Sequence, residues 1–339
     1  MNILVRAPNW IGDQILAGSF FYALRQMYPQ AYIVSVCGTW VSSIQFHPWI
    51  DEVCVLPNSS NEFLGPWKAL EKVAYSLKKK RSWDLGLLLS TGFSEAWLFY
   101  RAGVLRRRGY PTNGRGFLLH EKVETEVSGV VHRSESYLKL LTQKKEVFSG
   151  WTQSFLEAFD PELAWPGAWE PPGESYWVLA PGSQASSRRW PVESFALLMY
   201  LMHQKTGWSV LLVGGAEDVV WGKVLEKVGG GKVFNWINRG PVASYWKVLQ
   251  KAKVCVCNDS GLAHLASLCG ASVQVIWGAG DPKRTLPLSL KKVFLSMNPV
   301  SCWPCEKNTC FEKPALQCLK GMNVSRIFED IERSGVLDG

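Results

Sequence analysis

Short apolar runs alternate with amphipathic stretches along almost the whole chain, and turns rich in glycine, proline and serine separate them. Residues 2–6, 32–36, 52–56 and 83–89 read as strands on their apolar, β-branched content. Asp13 opens a helix with apolar positions Ile15, Leu16, Phe20, Leu24 and Met27. Further helices are predicted over about 40–46, 66–80, 94–101 and 134–142, with a short strand over 104–110. From 150 to 174 the period is lost, and the Trp-Pro-Gly-Ala-Trp-Glu-Pro-Pro-Gly run at 165–173 reads as a linker. The alternation then restarts, with strands at 176–180, 208–213, 233–237, 254–257 and 273–277. Helices are predicted between them over 192–205, 216–228 and 242–251, and a last one over 323–334. Strands alternating with helices form parallel sheets covered on both faces.

At 339 residues the chain is too long for one ordinary core, so two domains are expected. They span 1–165 and 166–322, with a closing segment at 323–339 free to pack back on the N-terminal domain. Two open α/β domains hold a ligand in the cleft between them, at the C-terminal ends of the strands. No run of about 18 uncharged apolar residues is present, so nothing is expected to span a membrane. The N-terminus lacks the basic region, long apolar core and cleavage site of a signal peptide, which predicts a cytoplasmic protein.

The formal charge is +8, with basic runs at 78–81, 106–108, 188–189, 283–284 and 291–292. Such runs attract phosphates of nucleotides, nucleic acid or anionic headgroups. The 17 tryptophans fit core packing, or a surface that meets sugars or a membrane. Four of the nine cysteines cluster as Cys302-x2-Cys305-x4-Cys310-x7-Cys318. In a reducing compartment that clustering favours metal over disulfides, and a structural zinc is the candidate. The second pair is not C-x2-C, however, and no histidine lies nearby.

Several chemistries are disfavoured. No G-x-G-x-x-G follows the first strand, no Walker A sequence is present, and there is no G-x-S-x-G elbow. Without an Asp-x-Asp pair, phosphate handling falls to amides, basic side chains and helix dipoles. Groups of that kind follow the strands of the second half. Pro181-Gly-Ser183-Gln184 and Arg188 come after the first, and Gly214-Gly215 with Glu217 and Asp218 after the second. Asn258-Asp259-Ser260-Gly261-Leu-Ala-His264 stands at a later strand-to-helix turn. There Asp259 or Ser260 is the predicted N-cap, Gly261 lets a ligand approach the backbone, and His264 lies one turn on. In the first half, Asp13 sits where the first strand turns into the first helix, placed to act as a general base on a substrate hydroxyl or simply as a cap.

Taken together, residues 1–13 (Met-Asn-Ile-Leu-Val-Arg-Ala-Pro-Asn-Trp-Ile-Gly-Asp), Arg189-Trp-Pro191, Asn258–His264 and Gly278-Ala-Gly-Asp-Pro-x-Arg-Thr285 resemble the ADP-heptose:lipopolysaccharide heptosyltransferases. The opening segment and the cysteine loop most resemble the heptosyltransferase II branch. The resemblance implies a GT-B fold of two Rossmann-like domains, with parallel sheets facing a central cleft. It also implies an inverting transfer of heptose to the lipopolysaccharide inner core that requires no metal or other cofactor. On that pattern Asp13 is the base, and Asn9, Trp10 and Gly12 accompany it on the acceptor side. Ser183, Gln184, Arg188, Glu217, Asp218, Asp259, Ser260, Gly261 and His264 would hold the donor. Arg188 stands where the family commonly has lysine, which keeps the charge and adds a bidentate fork. The implied setting is a monomer, peripheral at the inner face of the inner membrane, with an acidic lipid-linked acceptor and no nucleic-acid partner. Two alternatives stay open: a GT-B transferase with another nucleotide sugar, and a non-catalytic nucleotide or nucleic-acid binding protein.

Overall fold

The first strand, β1 (Asn2–Arg6), is buried along its last four residues, as a strand covered by helices on both faces must be. The computed structural model of the chain describes residues 1–57, 65–124, 130–142 and 148–337. Contacts divide it into Met1–Trp165 and Pro166–Gly339.

In the first unit α1 (Ile11–Leu16) and α2 (Gly18–Met27) lead from β1 to β2 (Tyr32–Gly38), and β3 (Glu52–Leu56) follows. Next come α3 (Gly65–Lys80), β4 (Leu85–Leu88), α4 (Phe93–Arg101), β5 (Arg106–Gly109) and β6 (Glu121–Lys122). The strands pair in parallel in the order β3-β2-β1-β4-β5-β6. Residues Thr39–Ile44, predicted as an α-helix, form a tighter 3-10 turn. After β6 come α5 (Arg133–Leu138), α6 (Phe148–Ala158) and α7 (Pro161–Ala164). The last two occupy part of the stretch that sequence reasoning read as irregular. Phe148, Trp151, Phe155 and Phe159 recur at helical spacing; Phe148 is buried, and the other three pack with Phe46, Trp49 and Tyr22. A Cβ on Gly18 would meet the Phe155 ring at 2.2 Å, so α2 and α6 meet through a bare backbone. Gly150 and Pro161 hid that period.

The second unit repeats the plan. It runs β7 (Tyr176–Ala180), α8 (Val192–Thr206), β8 (Ser209–Leu212), α9 (Val219–Gly229), β9 (Val233–Asn235), α10 (Trp246–Lys251), β10 (Cys255–Asn258) and α11 (Gly261–Leu268). Then follow β11 (Val273–Trp277), α12 (Pro282–Thr285), β12 (Val293–Met297), α13 (Gln317–Lys320) and α14 (Val324–Arg333). The parallel order is β12-β11-β10-β7-β8-β9, the first sheet's order strand for strand. The edge strands β6 and β12 were not foreseen. The closing helix α14 buries Ile327 and Ile331 in one core with Phe195, Leu198 and Met202. Its apolar face is thus used inside the second unit, with Lys205 paired to Glu332 beside it. Among the described residues no helix is long and apolar enough to cross a membrane.

Candidate active site

In an open parallel sheet, the loops after two adjacent strands diverge where the strand order reverses, and a crevice opens between them. In the second unit that point lies between β7 and β10. Asn258, fully buried at the end of β10, ties the two loops together. Its Nδ2 donates to Pro181 O (2.6 Å), and its Oδ1 accepts from the Trp190 amide (3.1 Å). Ser183 Oγ donates to Asp259 O (3.1 Å), and Arg189 Nε donates to Ser183 O.

Asp259 and Arg188 face each other on this frame. Arg188 Nη1 lies 3.2 Å from Asp259 Oδ2, with the arginine side chain 27% exposed and the aspartate 3%. Oδ2 nevertheless has no aligned hydrogen bond among the described residues, and neither has Arg188 Nε, Ser260 Oγ or Trp277 Nε1. Burial pushes the Asp259 carboxyl above the usual range, and the Arg188 charge opposes that. Glycines make the room: a Cβ on Gly280 would fall 2.4 Å from Asp259 Oδ2, and one on Gly278 2.8 Å from Ser187 O. Ser260 is the N-cap of α11, extended at φ −153° and ψ 170°, but its side chain does not cap. His264 is buried in the first turn and a half of that helix.

Asp218 and Glu217 part company. Asp218 is buried and accepts from the Gly215 amide (2.9 Å). Its carboxylate fills the space that a Cβ on Gly182 or Gly214 would need, at 2.1 and 2.7 Å, so it locks the loops after β7 and β8 together. Glu217 is exposed, as is Gln184, while Ser183 and Gly261 are half-buried.

The first unit's reversal lies between β1 and β4. Asp13 follows β1 as the third residue of α1, whose N-cap is Trp10, so it does not open the helix. Arg133 Nε of α5 lies 3.6 Å from Asp13 Oδ1. Tyr137, one turn along α5, has its hydroxyl pushed well up by burial and, next, by the Asp13 charge. Trp10 is 60% exposed, Asn9 is exposed and Gly12 half-buried. Asn9 Oδ1 accepts from Arg6 Nη2 (2.6 Å), and the same guanidinium lies 3.5 Å from Glu95. Arg6, Glu95 and Arg133 were missed from sequence, because an arginine ending a strand or opening a helix carries no signal of its partner.

The profile of glycosyltransferase family 9 (heptosyltransferase) matches residues 71–316. The chain belongs to that family. This glycosyltransferase is 26% identical over 312 residues to lipopolysaccharide heptosyltransferase 2 of Escherichia coli strain K12, covering 86% of each chain. It is 22% identical over 337 residues to a lipooligosaccharide heptosyltransferase 2 of Campylobacter jejuni, covering 98% of this chain and 99% of the relative. In three dimensions it is similar to the E. coli ADP-heptose lps heptosyltransferase II, with a TM-score of 0.77 over 99% of this chain and 98% of the other. That pair is 22% identical, and the likeness shows the two-domain GT-B type of α/β fold.

Elsewhere in the glycosyltransferase, expected features are reassigned. Arg108 and Arg106 pair with Glu121, and Arg107 donates to Leu118 O (2.6 Å) and Val104 O, so this basic run is spent within the protein. The four clustered cysteines are free and half-buried, and all four line one cavity of about 50 Å³ beside Ser187. No group of three or more metal-ligating side chains among the described residues is arranged to hold an ion, so the candidate zinc finds no support. The cysteine loop instead braces the turn that carries Arg188. Ser187 N donates to Asn308 O (3.2 Å), and Trp303 Nε1 to Gly278 O (2.9 Å).

Proposed function

We propose that this glycosyltransferase moves heptose from ADP-heptose to the inner core of lipopolysaccharide, by an inverting transfer that needs no metal. Its acceptor is an acidic lipid-linked oligosaccharide, met at the inner face of the cytoplasmic membrane. One observation carries the donor site: Asp259 Oδ2, Ser260 Oγ, Arg188 Nε and Trp277 Nε1 are all buried at the β7/β10 reversal without a hydrogen-bond partner among the described residues. Native proteins rarely strand several such atoms together unless something else satisfies them. A nucleoside diphosphate sugar brings acceptors for the guanidinium and for the start of α11, and hydroxyls for Asp259. Glu217, exposed in the loop after β8, would meet the nucleoside.

In the transfer, positive charge grows on the sugar and negative charge on the departing diphosphate. Arg188 and the N-terminus of α11 stabilise the latter where it leaves. Asp13 takes the proton from the acceptor hydroxyl as that oxygen attacks the anomeric carbon from the opposite face, which inverts its configuration. Asn9, Trp10 and Gly12 accompany it on the acceptor side.

The test is incubation with ADP-heptose and truncated glycolipids, read by product mass. In Asp13→Ala the transfer rate falls about 10²- to 10⁴-fold, while the thermal shift on adding ADP is retained. Near wild-type transfer by that variant would remove Asp13 from the role. A larger shift with UDP than with ADP would change the donor.

A further inference from the structure

The outer face of α3 carries cations that no carboxylate among the described residues answers. At about 100° per residue, Lys68, Lys72, Tyr75 and Lys79 share one stripe roughly 60° wide, opposite the buried Ala74 and Leu77. All four are exposed, Tyr75 by 60%, and Lys79 Nζ stands 4.7 Å from the centre of the Tyr75 ring. Trp67, 41% exposed, and Lys78 flank the stripe. Neighbouring cations are engaged: Lys80 by Glu52, Arg101 by Glu71, and Arg81 over the Tyr32 ring. Lys68, Lys72, Lys78 and Lys79 have no ion pair among the described residues.

We infer that α3 is a docking face for an anionic lipid bilayer. The stripe is straight and about 16 Å long, so its lysines can meet a plane of phosphates together. Aromatic rings beside the lysines suit the headgroup boundary, where an apolar body and a polar tip are both satisfied. Only its setting rests on the lipid-linked acceptor proposed above; the binding is measured without any transfer. The sequence singled out the basic runs at 78–81 and 106–108 as attracting phosphates. The structure moves the open charge to the side of α3 and closes the second run on Glu121.

The experiment is cosedimentation of the full-length chain with vesicles of phosphatidylcholine alone and with one-third phosphatidylglycerol. Binding is expected only to the anionic vesicles, falling steeply as salt rises. K68Q/K72Q/K79Q lowers partitioning about a hundredfold, at about one order of magnitude or less per lysine. W67A/Y75A lowers it severalfold with the salt dependence unchanged. Both variants keep the wild-type thermal midpoint and ADP shift. Equal binding to neutral vesicles, wild-type partitioning by the triple variant, or binding to duplex RNA but not to vesicles would each overturn the proposal. Lost vesicle binding with transfer to a detergent-dispersed acceptor intact leaves the donor-transfer reading standing. Vesicle binding without any heptose transfer does the reverse.

Discussion

The two units share one strand order, and at each reversal an arginine faces a carboxylate, but the two pairs are finished differently. Arg6 and Glu95 lie 3.5 Å apart with side chains 4% and 10% exposed. Arg6 also donates to Ala7 O (2.6 Å), Val36 O (3.2 Å) and Asn9 Oδ1 (2.6 Å), so both of its terminal nitrogens are spent inside the fold, while its Nε, like Glu95 Oε2, has no hydrogen-bond partner among the described residues. Arg188 has its ion pair with Asp259, a half-buried head and, among the described residues, no hydrogen-bond partner for its Nε. A guanidinium whose terminal nitrogens are both held by the fold is a strut, and one whose terminal nitrogens meet only a single carboxylate is a receptor. The same topology thus makes a closed joint in one unit and an anion site in the other.

Breaking the closed joint has the largest expected effect. Arg6→Met leaves Glu95 buried without its counter-charge, which costs about 3–5 kcal/mol of stability, read from urea unfolding. Burial already lowers the Arg6 pKa, so the pair is held at a solvation cost. Arg6→Met with Glu95→Leu therefore recovers most of the loss, because two apolar groups replace two desolvated charges. If folded Arg6→Met lost ADP affinity instead of stability, the distinction between strut and receptor would fail.

The open pair gives the reverse pattern. Arg188→Gln removes charge-assisted bonds to a diphosphate worth about 1.5–3 kcal/mol, so ADP affinity falls roughly 10- to 100-fold by calorimetry. Stability changes less, since burial already favours the protonated Asp259, which can take up a proton when Arg188 goes. A stability loss equal to that of Arg6→Met would make Arg188 a second strut.

Much of this was legible in the sequence, and the reasons differ by element. The strands show because buried parallel strands are continuous apolar runs, as in β1 and β11. The motif from Asn258 to His264 shows because a strand, a polar turn and an apolar helix follow one another within a few residues. Local order of that kind also put Asp13 in the first turn of the first helix, as its third residue rather than its opening one. Contacts distant in sequence were hidden. Nothing local links Arg6 to Glu95 or Asp13 to Arg133, and nothing marks Asp218, rather than Glu217, as the residue facing inward. Composition misled at 106–108, where like charges in a row suggested a ligand and Glu121 on the neighbouring strand supplies the answer.

Asp218 offers the smallest and most selective probe. Its carboxyl is raised above the ordinary value, by burial first, while the Gly215 amide and Arg189 oppose and the Glu217 charge adds. A raised carboxyl holds its proton more tightly folded than unfolded. Its help to folding is therefore full below the ordinary carboxylate range and is lost as pH rises through the folded value. Asp218→Asn keeps an oxygen for the Gly215 amide and cannot ionise. Thermal midpoints measured between about pH 4 and pH 7 should show the variant gaining on wild type as pH rises, by less than either charge deletion. Parallel curves would mean that Asp218 ionises in the fold at no cost. Arg189 would then outweigh burial at the β7–β8 loops, and the second unit would hold a closed charge pair of its own beside the open one.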